Sequence, residues 1–470
     1  MAHTFDSNLT RGSVVTHFRR LAVPAAMGML FNTLYNIVDM YFAGMLSTSA
    51  QAGISLGYQA FYIALSVGVG LGAAMGALVG NALGAGARGP ARRFAVQGLG
   101  FGVLAALFLA AAGQWFGPFI VTLVSDPGDY RDAGTRYFQL LSLALPAFFL
   151  AFCCNGILQA HGDSKSFQRA LMWAFFANVG LNPLLIYGVP GAVPGLGFDG
   201  LALSTVASQC GVMVYMVWQV LKRRNMRRLR LENFRPNAAI YSAIAQQTLP
   251  IALSMMVLFL SGFVVQYALK EFGEHAVAGF GVAIRIEQVL LLPVMGLTGA
   301  LLPIVAQNFG ARAFDRIRQA VGICMGFGLL MTILASVAIW VFGKSIMGLF
   351  TDDPDVIRVG LAYLRIDSLL LPIYMALFTF NSLLQALKRP IWTVWISMYR
   401  QGIGIGLFVW IFVGLLGFDE HGVFIGVGCA VFTGSILASI IVHRVAKTSF
   451  GGLFRNCHET IRPSPKAHWS

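Results

Sequence analysis

The chain has 470 residues, 57% of them hydrophobic and only 11% charged, with a mean hydropathy of +0.72. An ordinary soluble domain is excluded, and a polytopic membrane protein is indicated. The formal net charge of +14 does not indicate nucleic acid, because the basic residues sit in short segments between apolar runs instead of on one surface.

Residues 1–20 are polar and lead straight into the first apolar run, which is too long and too polar-studded for a signal-peptide core, so no cleavage is expected. That run, Leu21 to Ala43, has the length of about 20 residues that a helix needs to cross a bilayer core. Asn32, Tyr35, Asn36 and Asp39 interrupt it at i, i+3, i+4 and i+7, so they line one face, which must look at protein or water. A carboxylate at such depth costs roughly 2.5 to 3.5 kcal/mol and is kept where it has a task or a partner. Asp39 is therefore the leading functional candidate; the plainer alternative is a hydrogen bond to a neighbouring helix.

In the second run Gly68, Gly72, Gly76, Gly80 and Gly84 recur every fourth residue, a smooth stripe read as a packing surface for another helix. Continuing along the chain, runs near 21–43, 54–83, 94–116, 134–160, 167–188, 199–221, 243–269, 277–308, 317–342, 360–386, 392–415 and 422–443 predict twelve spans. The segments between them alternate in charge. Arg11, Arg19, Arg20, Arg88, Arg92, Arg93, Lys165, Arg169, the stretch Lys222 to Arg235, Arg312, Arg316, Arg318, Lys388, Arg389 and the tail from Arg444 fall on one side. Asp126, Asp129, Asp132, Asp199, Glu271, Glu274, Asp352, Asp353, Asp355, Asp419 and Glu420 fall on the other. The positive-inside rule makes the first side, with both termini, cytoplasmic.

Special residues repeat at a constant shift of 226 positions: Pro24 with Pro250, Gly53 with Gly279, Gly70 with Gly296, Gly84 with Gly310, Asp126 with Asp352, Pro146 with Pro372, Asn155 with Asn381, and Gly200 with Gly426. The expected architecture is all-α, with twelve transmembrane helices in two pseudo-symmetric six-helix bundles. Its expected layout is a cytoplasmic segment 1–20, an N-terminal lobe 21–221, a basic linker 222–242, a C-terminal lobe 243–445 and a cytoplasmic tail 446–470. Six spans in each half give both the same orientation, a parallel repeat suited to alternating access around a central cavity.

Cys153, Cys154, Cys210, Cys324 and Cys429 lie in apolar runs and Cys457 in the tail, none with metal-ligand spacing, so they read as packing residues. No HExxH, His/Cys ligand set or nucleophile-and-base pattern lies at membrane depth, and His161, His275 and His421 sit at span ends or in loops, which argues against a membrane enzyme.

Leu34-Tyr35-Asn36-Ile37-Val38-Asp39, the stretch Asn178 to Pro183 with the following Leu184 to Gly188, Gly200 to Thr205, Arg285-Ile286-Glu287-Gln288 and Gln307-Asn308-Phe309-Gly310-Ala311 carry a resemblance over nearly the whole length. With them the chain resembles the multidrug and toxic compound extrusion transporters, closest to their DNA-damage-inducible bacterial branch. The resemblance implies a monomeric antiporter of the bacterial inner membrane that exports organic, often cationic compounds against H⁺ or Na⁺, with no cofactor. Carried over, the ion-responsive group of the N-terminal lobe would be Asp39, with Asn36, Asn178, Asn182 and Thr205 around it and a transient Na⁺ near Asp39 as the alternative to a proton. Depth supports this separately: at 1.5 Å per residue Asp39, Asn182 and Thr205 fall about 6 to 9 Å from the outer ends of their spans.

Two departures from family patterns narrow the expectation. Asn182 stands where archaeal members carry an aspartate, leaving one titrating group, and no carboxylate falls in 250–269 or 369–386, so no ion site is expected in the second lobe. Tyr35, Gln59, Tyr62, Met255, Met256 and Phe259 would suit a cavity wall for apolar cations, with core packing as the alternative. Arg285 and Glu287, two apart, cannot face each other on a helix and each wants a partner elsewhere, while Asp367 is expected near Arg365 or facing the cavity. A lipid-linked saccharide flippase is the competing transport reading; it would need more basic residues inside the cavity than the sequence offers.

Overall fold

The computed structural model describes residues 8–123, 125–189, 193–226, 233 and 235–453. Parts of the expected linker, the tail beyond 453 and Cys457 lie outside the described residues. The helices are α1 (Val14–Leu46), α2 (Thr48–Gly84), α3 (Arg88–Leu123), α4 (Asp129–Ser142), α5 (Leu145–Ala160), α6 (Lys165–Tyr187), α7 (Phe198–Leu221), α8 (Ala238–Lys270), α9 (Glu274–Gly310), α10 (Phe314–Met347) and α11 (Pro354–Ala386). They are followed by α12 (Ile391–Leu415) and α13 (Glu420–Phe450). Counting α4 and α5 as one bent span gives twelve membrane crossings. A two-residue hairpin, Gly188–Val189 with Val193–Pro194, joins α6 to α7.

Two breaks in helix geometry have local causes. The α4–α5 span bends by 54°, where Pro146 stands in the first turn of α5 and cannot donate to the carbonyl four residues back. Its repeat mate Pro372 sits inside an unbroken α11. In α12 two stretches, Met398–Gly404 and Trp410–Leu415, widen to π-helix, a geometry often met at functional positions.

Helices α1–α7 form one bundle and α8–α13 the other. Inside the first bundle the glycine stripe of α2 works as a packing surface: a Cβ on Gly72 would stand 2.8 Å from the Phe152 carbonyl, and one on Gly156 would stand 1.9 Å from the Gly72 carbonyl. Adding a methyl where the obstacle is backbone costs about 1 to 3 kcal/mol in overpacking. Gly156→Ala is therefore expected to lower the melting temperature of the purified protein by several degrees, whereas Gly211→Ala, with open space around it, leaves it unchanged.

The two bundles meet by a reciprocal crossing that follows the 226-residue shift. Asn81 Nδ2 donates to the Ala386 carbonyl at 3.0 Å, and its mate Gln307 Nε2 donates to the Ala160 carbonyl at 2.6 Å. Beside them a Cβ on Gly84 would lie 1.9 Å from the Gln307 carbonyl and one on Gly310 would lie 2.0 Å from the Asn81 carbonyl. The stripe thus continues from its own bundle onto the other, through Gly76 against Leu302 and Gly80 against Ala306. This seam lies at the end of the molecule where α1 begins and α13 ends. Nearer mid-depth Gly70 abuts the α8 backbone at Thr248 and Ala252, and Gly296 abuts α1 at Ala22 and Ala26.

The leading segment crosses the same seam. Leu9 is fully buried; its N–H donates to Gln307 Oε1 (2.8 Å), and its carbonyl accepts from Asn308 Nδ2 and Arg316 Nη2, both at 3.3 Å.

Candidate functional site

The face of α1 that carries Asp39 turns into the first bundle, towards α6 and α7. Asp39 is 4% exposed, and Asn178 and Asn182 are fully buried. Asn178 Nδ2 donates to Asp39 Oδ1 at 2.9 Å, Asn182 Nδ2 donates to the same oxygen at 3.0 Å, and Thr205 Oγ1 donates to Oδ2 at 3.1 Å. Asn182 also donates to Asn178 Oδ1 (3.1 Å), which its i+4 spacing on α6 permits, and Ser204 donates to Asn182 Oδ1. Three helices thus bring four of the sequence candidates, Asp39, Asn178, Asn182 and Thr205, to one point. A buried carboxylate is tolerated only with its lone pairs occupied, and these donors occupy them.

The fifth candidate of that set, Asn36, stands elsewhere. It is half-buried one turn before Asp39, beside Tyr58, and makes no bond to the carboxylate among the described residues. Tyr35, expected on a cavity wall, is instead buried in the same nest, with its hydroxyl 2.7 Å from Ser208 Oγ; its spacing from Asp39 puts it on the inward face of α1. Ser204 and Ser208 were not singled out from sequence, where a serine in an apolar span carries no distinguishing pattern.

The remaining cavity candidates lie between the bundles. Tyr62 of α2 and Phe259 of α8 meet across the interface, ring centroids 3.8 Å apart. Met255 and Met256 are half-buried one turn below Phe259, above the Thr248 and Ala252 contacts with Gly70. Gln59 is exposed.

The second bundle gathers two of the sequence candidates, Glu287 and Asp367, into an ionisable cluster with Tyr363, Tyr374 and Arg400, which were not singled out from sequence. Tyr363 Oη donates to Glu287 Oε2 at 2.9 Å, Asp367 is 1% exposed one turn further along α11, and the Arg400 guanidinium lies 5.9 Å from the Tyr374 ring centre. Glu287, Asp367, Tyr374 and Arg400 are close enough to interact electrostatically. Asp367 does not pair with Arg365, which lies over the Trp340 ring instead (5.5 Å); two positions apart on α11, the two side chains point apart. The repeat makes the difference between the bundles explicit: Glu287, Asp367 and Arg400 correspond to Phe61, Leu141 and Ala174 of the first bundle, whereas Asp39, Asn178, Asn182 and Thr205 correspond to Val265, Gly404, Phe408 and Val431 of the second. Each bundle is polar where the other is apolar. Asp419, Glu420 and His421 converge outside the bundles, but Asp419 caps α13 and Glu420 pairs with Arg358 at 3.0 Å, which accounts for them.

Comparison with known proteins gives the same picture at the level of family. The MatE family profile matches residues 24–184 and 250–410, two stretches whose starts, 24 and 250, differ by the same 226 residues as the internal repeat. The Multidrug export protein MepA of Staphylococcus aureus (strain MSSA476) is 24% identical over 367 residues, 78% of this chain and 80% of its own length. An FAD transporter of Shewanella oneidensis is 28% identical over 387 residues, 81% and 84% of the two chains. Among solved structures, a MOP-superfamily transporter from Pyrococcus furiosus superposes with a TM-score of 0.87 at 21% identity, covering 95% of this chain and 99% of that one. An outward-facing multidrug resistance transporter of the same superfamily gives 0.86 at 21% identity, over 95% and 100%.

Proposed function

Because the chain belongs to the MatE family and is thus a multi-pass membrane transporter, we propose that it is an antiporter that expels organic amphipathic compounds in exchange for protons, with Asp39 as the group that binds the coupling ion. The observation that carries this reading is the set of three neutral donors aimed at one buried carboxylate, Asn178, Asn182 and Thr205. With a neutral shell, the arrival of one proton changes the charge of the whole nest.

The shell also favours a proton over Na⁺. Both amides present nitrogen to Asp39 while their oxygens are engaged by Asn182 and Ser204, and a hard cation wants oxygen ligands. A proton needs only one reversal. Thr205 Oγ1 has a second acceptor within reach, the Leu201 carbonyl at 3.5 Å, so its hydroxyl can turn there and accept from a protonated Asp39. Pro24 interrupts the hydrogen-bond ladder of α1 below the nest, which lets the helix bend when the charge on Asp39 changes.

In this reading the basic segments and both termini are cytoplasmic, the protein sits in the bacterial plasma membrane, and the seam of Asn81 and Gln307 closes the cytoplasmic side while the cleft above Tyr62 and Phe259 opens outward. Drug export by the MepA relative supports an organic substrate. Each charge moved through 100 mV contributes about 2.3 kcal/mol to the driving force. The test is purified protein in vesicles with pH and Na⁺ gradients imposed one at a time while transport of two amphipathic probes, cationic ethidium and acidic riboflavin 5′-phosphate, is followed. The pH gradient alone is expected to drive it; transport driven by Na⁺ alone would remove the proton from the mechanism.

A further inference from the structure

The outward cleft carries a charge that none of the foregoing uses. Arg285 lies on α9, 11 residues above Gly296; at 3.6 residues per turn that is about three full turns, so Arg285 lies on the face that Gly296 presents to α1 of the other bundle. Of the intervening residues on that face, Gln288 and Val289 are exposed and Leu292 is half-buried. That side of α9 looks towards the other bundle, so Arg285 belongs to the wall of the outward cleft of the proposed transport cycle. It is exposed, and among the described residues it makes no hydrogen bond or ion pair. An arginine within a span is expensive, and a hypothesis of function is its default reading.

The repeat supplies an internal control. The mate of Arg285 is Gln59, which stands on α2 at the same distance above Gly70, faces the same cleft and is also exposed. One wall is thus neutral and the other cationic at the same depth. Arg285, Gln59 and Phe259 all lie about 16 Å from the outer ends of their helices, and Tyr62 about one turn deeper. The acids at membrane depth are turned away from this space: Asp39 and Asp367 are buried in their own bundles, and Glu287 is held by Tyr363.

We propose that the substrates of this transporter are aromatic compounds bearing an acidic group, a phosphate, sulfonate or carboxylate, which Arg285 binds in the outward cleft while the ring lies against Tyr62 and Phe259. A guanidinium offers a planar fork of donors matched to such oxyanions, and aromatic rings accept flat apolar surfaces of varied shape. This assignment rests on the antiport reading for the direction of transport but not for binding. It departs from the cationic substrates that the family resemblance implies.

The experiment uses the full-length protein purified in detergent, with riboflavin 5′-phosphate and its uncharged parent riboflavin as matched probes, read by flavin fluorescence. Wild type is expected to bind the phosphate at least about tenfold more tightly than the parent. Arg285→Gln, which installs the residue of the sister helix and so keeps the fold, is expected to bring the two affinities within about twofold of each other, and Arg285→Lys to restore part of the difference. Equal affinities in wild type, or an Arg285→Gln protein that still prefers the phosphate, would overturn the proposal. Vesicle transport separates the two levels: ethidium moved by a pH gradient without any phosphate preference refutes the acidic substrate and keeps the antiport, while a phosphate preference without response to the gradient does the reverse.

Discussion

Asp39→Asn is expected to reduce pH-driven export to the level of protein-free vesicles while leaving a folded protein that still binds its substrates. The amide matches the carboxylate in shape and, by turning its oxygen to Asn178 and Asn182, keeps two of the three hydrogen bonds at 2.9 and 3.0 Å. What it loses is the ability to change charge. The cost in stability stays within roughly 1 to 3 kcal/mol, the range for weakening a buried charged hydrogen-bond set. Thr205→Val, which removes one donor but not the titrating group, should slow transport without ending it. Inverted vesicles with an imposed pH gradient give the measurement, and full pH-driven transport by Asp39→Asn would take this residue out of the coupling.

The second large effect is expected at the seam. In Gly84→Ala and Gly310→Ala the new methyl would stand 1.9 and 2.0 Å from the carbonyls of Gln307 and Asn81. Both obstacles are backbone, so no side chain can give way; α2 and α9 must part, and the hydrogen bonds to Ala386 and Ala160 stretch with them. A cost of about 1 to 3 kcal/mol on this closed arrangement alone moves a two-state balance by roughly 5-fold to 150-fold. Transport should fall steeply with helical content unchanged. A cysteine at Leu302, which packs on Gly76, should label faster with a membrane-impermeant maleimide applied from the side where α1 begins and α13 ends. Wild-type labelling together with wild-type transport would show that the seam tolerates the methyl.

Much of this could be read from the chain. The i, i+4 spacing of Tyr35 and Asp39 marks the inward face of α1, although Asn32 of the same set is exposed and Asn36 half-buried, and equal depth points to Asn182 and Thr205 as neighbours. The 226-residue shift gives the two bundles. Glu287 and Asp367 stand out singly in the sequence, but their grouping with Arg400 is hidden because the three come from three helices with no shared period. A signal existed: wherever a repeat pairs Phe61 with Glu287, Leu141 with Asp367 and Ala174 with Arg400, the three exchanges fall together and mark a site present in one half only. The bend at Pro146 and the π-helical stretches of α12 leave hydropathy unaltered, so composition along the chain gives no hint of them.

The capture of Leu9 has a practical bearing on how this protein can be handled. Its amide and carbonyl are both spoken for by side chains of α9 and α10, so the first bundle's own leader is strapped to its partner half. Any stroke that parts the halves has to drag that strap or shed it, giving up three contacts worth about 1 kcal/mol each. Trimming the chain to begin after Gly12 would therefore loosen the resting posture of the machine without touching a membrane crossing, and a bulky tag placed directly ahead of Leu9 would do the same by leverage.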